Sequence, residues 1–371
     1  MAYLWRIVAV IGILLVLAGG TFYALLCRAV IPSPPKNADA AADRLLFDWK
    51  TGNLAIESAV AYGNEILPYL EEKTNGFERI GLMQAPRLAE VLSRIDTPEC
   101  EKLLQSLYAT GRYGMTGGDQ RAPSSIELPR LSGWWEEEGT FQKCVGAFAL
   151  ARQGRLDETT INDGLIAECL SGRSAGGESY SIICQALCAL ALGYSRSPRA
   201  MAILCRQLPR VADDGPLQLL DALAILQDQE AVDCIQKLLQ EHGKLPYYTE
   251  DYQWAQGFGE RAIRALLALK HKEAIALLIS HVHPEMPKDY WVIQSLTRVT
   301  GKDFGARPEA WASWWNSRKD DYPIDNVSTV LLEEVKADRS SWLENLFTGG
   351  GLSSPTCFSS LDMRQITRRY K

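Results

Sequence analysis

Nine cysteines and four histidines are the side chains of this 371-residue chain best suited to metal or redox chemistry. The cysteines are Cys27, Cys100, Cys144, Cys169, Cys184, Cys188, Cys205, Cys234 and Cys357. No two stand as C-x-x-C, so the chain carries neither a zinc ribbon nor a thioredoxin-type pair. Most sit among Leu and Ala in helical patterns, where Cys acts as a small hydrophobe. Cys184 and Cys188 are one helical turn apart and read as two core positions on one face. His281 and His283 alternate, a spacing that points their rings apart on a helix. With His271 they read as polar residues at helix ends, so no metal ligand set and no cofactor is expected.

Two further motifs carry little chemistry. Asp303-Phe304-Gly305 is not a kinase signature, because no Gly-rich loop, H-R-D or strand context accompanies it. The Gly-rich run from Arg173 to Ser179 precedes a helix whose N-terminus suits an anion, but it reads as an ordinary link. No catalytic set emerges. The formal net charge is −6 and no Lys/Arg run stands out, so nucleic acid is not an expected partner.

Aromatic residues are the better candidates for recognition. Two stretches exceed what a helix-to-helix link needs. Gly111–Gly139 holds Trp134 and Trp135 against Glu136, Glu137 and Glu138. Leu245–Trp254 holds Tyr247, Tyr248, Tyr252 and Trp254. Aromatics interleaved with acids on a long loop suit a protein partner. The competing reading has these rings folded back over the helices.

The elements that position these residues begin with an anchor. Residues 7–26, IVAVIGILLVLAGGTFYALL, carry no charge. As a helix they span roughly 30 Å, the hydrocarbon thickness of a bilayer. Tyr3, Trp5, Phe22 and Tyr23 lie near the ends, where amphipathic rings settle. A cleaved signal peptide is the alternative, but the apolar run is longer than such a segment needs. The expectation is one uncleaved transmembrane helix within residues 1–28. The charge rule, weighing Arg6 against Arg28, Lys36 and Arg44, leans toward a cytoplasmic body. The five-residue head leans the other way, and the body is placed outside the cytoplasm. Residues 29–49 supply a Pro-containing spacer, with Pro32, Pro34 and Pro35, and a first helix.

Beyond the spacer the chain repeats helix, short turn, helix. Ala85–Ala109 (APRLAEVLSRIDTPECEKLLQSLYA), Asp221–Gln240 (DALAILQDQEAVDCIQKLLQ) and Arg264–Val282 (RALLALKHKEAIALLISHV) align at their Leu and Ala positions. Weaker copies fall in Asn53–Lys73, Phe141–Leu170 and Ser179–Leu208, making about six pairs. Thr97-Pro98, Ser197-Pro198 and Asp228 are helix-start residues for second helices. One pair cannot bury both apolar faces, whereas stacked pairs bury a continuous core. The expected fold is therefore all-α, an α-solenoid over residues 50–316.

These units resemble HEAT repeats of the bacterial kind, also called HEAT-like or PBS-lyase-type repeats; "AYGNEILPYLEEK" (Ala61–Lys73) is a characteristic phrase. The ending is similar too: Thr300-Gly301-Lys302-Asp303-Phe304-Gly305, then Trp311-Ala312-Ser313-Trp314-Trp315. The resemblance implies a scaffold; a minority of such proteins are enzymes that attach chromophores, and no motif of theirs is matched. Trp311, Trp314 and Trp315 fall at i, i+3 and i+4 on one helix face. With Phe304 they are read as a cap over residues 290–316, closing the exposed end of the stack. Residues 317–371 read as a partly ordered extension with a helix near Val327–Leu346. The functional expectation is a membrane-tethered scaffold without catalysis of its own. The alternatives are an accessory lyase-type enzyme using the groove, or a cleaved and exported binding protein.

Overall fold

The computed structural model describes residues 34–48, 52–78, 80, 84–111, 115–116, 141–156, 163–172, 179–180, 182–195, 197–212, 216–241, 252–285 and 291–337. The expected anchor, residues 7–26, lies outside the described residues. Among those described, no helix is long and apolar enough to cross a membrane.

The regular structure of the described residues is all helical apart from a two-residue antiparallel pairing of Met115–Thr116 (β1) with Ser179–Tyr180 (β2). A first helix α1 (Ala38–Phe47) is followed by α2 (Gly52–Ala61) and α3 (Leu67–Lys73). Then come α4 (Ala85–Arg94) with α5 (Pro98–Thr110), and α6 (Gln142–Arg152) with α7 (Asp163–Leu170). Helices α8 (Ile182–Ser195) and α9 (Ala200–Gln207) form the next pair, then α10 (Gln218–Leu226) and α11 (Glu230–Glu241). The last pairs are α12 (Tyr252–Ala268) with α13 (Glu273–Ser280), and α14 (Trp291–Thr300) with α15 (Pro308–Arg318). A final helix, α16, runs over Ile324–Ala337.

Local sequence explains the boundaries. Asn37 accepts from the Ala40 amide at 2.8 Å and opens α1; Arg87 closes it by donating to the carbonyls of Leu45 and Asp48 at 3.1 and 3.0 Å. Thr97 accepts from the Cys100 amide, with Pro98 in the first turn of α5. Asp228 accepts from the Glu230 amide at 3.0 Å and starts α11. Pro68 lies in the first turn of α3, after a short 3-10 turn at Gly63–Ile66. Gly301, with φ +66°, ends α14.

The same turn recurs at the ends of α6, α10 and α12, where Gly154, Gln227 and Lys270 adopt φ of +70°, +57° and +62°. At α6 and α12 the next amide reaches back to the last turn: Arg155 to Leu150 and His271 to Leu266, both at 2.9 Å. These satisfy orphan carbonyls. Gln side chains do the same between neighbours. Gln153 donates to Leu92 and Ile95 carbonyls of α4, both at 3.1 Å, and Gln229 donates to Leu269 beyond α12 at 2.9 Å.

The even-numbered helices α2 to α14 form one row, each packing on the next even-numbered helix. Helices α5, α7, α9, α11 and α13 lie beside that row. In α8, Ile183 through Gly193 are all buried. A helix apolar all round belongs inside, and here Gly193 lets it approach α10 closely. A Cβ on Gly193 would stand 2.8 Å from the Ala222 carbonyl oxygen and 2.9 Å from its Cα. A disulfide, Cys205–Cys234, joins α9 to α11.

α16 turns back along the row and packs on α10 and α12 through Val327, Leu331 and Val335. It starts three residues before the helix expected from sequence. Ser328 donates to the Ala268 carbonyl at 2.6 Å, capping α12.

Candidate functional site

Where α6, α8 and α10 end together they leave a cleft of about 620 Å³. Its lining includes the apolar residues Met201, Ile225 and Leu226. Its rim is polar. Arg152 pairs with Glu90 at 2.5 Å and donates to Ser93 at 2.8 Å. Asp228 stands at the α10–α11 turn, and Lys336 reaches the rim from the last turn of α16. Tyr194 lies between, edge-on to Phe148 with ring centroids 6.2 Å apart. Apolar residues beside a few charged groups make this cleft a candidate binding site.

Beside it, buried charges fasten α16. Asp221 of α10 accepts from Arg261 and, at 2.9 Å, from Arg264, both of α12. Arg298 of α14 pairs with Glu334 of α16, and Glu260 of α12 is buried nearby. The Asp221 contacts join α10 to α12, and the Arg298–Glu334 pair joins α14 to α16. Burial lowers the Arg298 pKa, partly offset by Glu334.

The expected aromatic cap forms a continuous ring cluster. Trp311 is fully buried and its indole N–H donates to the Gly305 carbonyl at 2.8 Å. Phe304 meets it edge-on at 4.9 Å and Trp314 at 6.5 Å. Trp315 is buried, while Trp314 and Phe304 are half-buried. Tyr322 closes the cluster against Trp314 and Trp315 and donates to the Val299 carbonyl at 2.7 Å. The cluster packs on α13.

The candidate partner-binding residues fare differently. Trp134, Trp135, Tyr247 and Tyr248 lie outside the described residues. Tyr252 and Trp254 belong to the opening turn of α12, not to a loop. His271 and His281 sit beside the ends of α12 and α13. His271 meets Gln236 at 2.8 Å and Glu273 at 3.4 Å, and His281 meets the Leu277 carbonyl at 2.7 Å.

Sequence reasoning missed three groupings: the cleft, the ionic cluster and a convergence of thiols. Each joins residues far apart in the chain, so no local spacing announces it. Burial pushes the thiols of Cys144, Cys169 and Cys188 well above their usual range. No family model, curated protein or solved structure matches this chain.

Proposed function

We propose that this chain is a membrane-tethered α-solenoid of HEAT-like helix pairs. It holds a segment of a protein partner in the cleft at the ends of α6, α8 and α10, and has no catalysis of its own. The observation that carries this reading is the row of alternate helices with the same turn recurring at their ends. Stacked pairs of this kind present long surfaces rather than enclosed reaction sites.

Three features support the tether. Residues 7–26 have the length and apolarity of a membrane span. Tyr62 donates to the Pro35 carbonyl at 3.0 Å, fixing the end of the Pro-containing spacer against the body. Three of the four exposed large apolar side chains among the described residues, Phe47, Leu54 and Tyr69, belong to α1–α3 at that same end. The Cys205–Cys234 disulfide favours an oxidising compartment, hence a body outside the cytoplasm. The aromatic stretches around Trp134–Trp135 and Tyr247–Tyr252 are further contacts for the same partner in this reading.

The test is topology in a bacterial host. Alkaline phosphatase, and separately a fluorescent protein that matures only in the cytoplasm, are fused after residue 371. The reading expects phosphatase activity, no fluorescence, and full-length chain retained in membranes after alkaline washing. A shortened, soluble product would remove the tether. Fluorescence alone would place the body inside.

A further inference from the structure

Five cysteines outside the disulfide are buried among the described residues, and four of them converge. Cys144 comes from α6, Cys169 from α7, and Cys184 and Cys188 from α8. All four are fully inaccessible. The Sγ atoms of Cys169 and Cys184 are 3.6 Å apart, and those of Cys169, Cys184 and Cys188 all lie within 4.8 Å of one another. Cys144 stands beside this group and donates to the Phe141 carbonyl at 3.1 Å.

Filling a core with small hydrophobes does not require placing them sulfur to sulfur; Ala serves that purpose elsewhere in these same helices. A tetrahedral cation holding thiolates at about 2.3 Å sets its sulfurs about 3.8 Å apart. The Cys169–Cys184 separation of 3.6 Å is close to that spacing. The ligand atoms available are all sulfur, with neither oxygen nor imidazole among them, which selects soft cations over Mg²⁺ or Ca²⁺. A disulfide would use only two of the three thiols.

We propose that Cys169, Cys184 and Cys188 form a buried thiolate site for a soft d¹⁰ cation, Zn²⁺ or Cu⁺, that joins α7 and α8. Each cysteine that binds as thiolate releases one proton. The cation enters while the helices assemble, because the finished site is closed to solvent.

The experiment uses the full chain, purified in mild detergent with a thiol reductant. Cells are grown in zinc-supplemented medium and, separately, in copper-supplemented medium, and metal per chain is read by elemental mass spectrometry. The proposal expects close to one equivalent of zinc or of copper; the arm that loads identifies the cation. A Cys169→Ala/Cys188→Ala variant should lose metal by more than about tenfold, and Cys100→Ala should retain it. Where circular dichroism shows the double variant unfolded, Cys169→Ser, which keeps the volume, takes its place. Wild-type chain carrying only trace zinc and copper, or variants loading as well as wild type, would overturn the site. So would an intact mass showing a Cys169–Cys184 disulfide in the loaded protein.

Discussion

Replacing Trp311 with Ala separates a structural cap from a ligand-stacking face. The indole is wholly buried, touches Phe304 and Trp314 edge-on, and satisfies the Gly305 carbonyl at 2.8 Å. Truncating a buried Trp or Phe to Ala costs about 3–5 kcal/mol, transfer and cavity together. Leaving the Gly305 carbonyl without its donor accounts for about 1 kcal/mol of that. Trp311→Phe keeps most of the ring packing and loses the N–H, so about 1–2 kcal/mol is expected. Trp314→Ala, at a half-buried ring with two edge-on neighbours, should cost about 1–2 kcal/mol. Urea denaturation followed by far-UV circular dichroism measures all three. Hydrogen exchange should show protection lost first in α13–α15, because stacked units feel mainly their neighbours. A Trp311→Ala protein within about 0.5 kcal/mol of wild type would refute the cap.

Other perturbations test the packing behind the cleft. Asp221→Ala removes the carboxylate shared by Arg261 and Arg264 and should cost about 3–5 kcal/mol by denaturation; a loss under 1 kcal/mol would mean the cluster does not fasten α10 to α12. Gly193→Ala drives a methyl into the α10 backbone and should cost about 1–3 kcal/mol; a neutral result would show that α8 and α10 can separate freely. Burial pushes the Cys100 thiol up to about 11 from an ordinary value of 9.0. The folded chain keeps this proton where the unfolded chain releases it, so stability falls as pH rises from about 9 to 11. The loss attributable to Cys100 is roughly 2–3 kcal/mol, and Cys100→Ala should flatten the stability profile over that range by this amount; an unchanged slope would contradict the burial of this thiol.

What could be read from the chain was local. The turns at Thr97-Pro98, Asp228 and Gly301, and the helix at Pro308, follow from capping chemistry confined to a few residues. The pairing of helices followed from periodic Leu and Ala. The partners of buried polar groups did not. Asp221 and Arg264 are 43 residues apart, and Arg298 and Glu334 are 36 apart. In sequence α16 belongs to the tail; which surface its buried Val327, Leu331 and Val335 cover is a tertiary fact. Cysteines at 169, 184 and 188 have no recognisable ligand spacing, since two helices bring them together.

The measurement that bears most directly on the central claim is site-specific photocrosslinking in native membranes. A photoreactive residue is placed at position 198, on the cleft, and separately at position 237, on the exposed side of α11. The account predicts a discrete protein adduct from 198 in the membrane fraction. That adduct should be absent from 237 and weakened when Lys336→Glu alters the cleft rim. No adduct at 198, the same adducts from both positions, or an adduct confined to the soluble fraction would contradict a tethered scaffold that binds through this cleft.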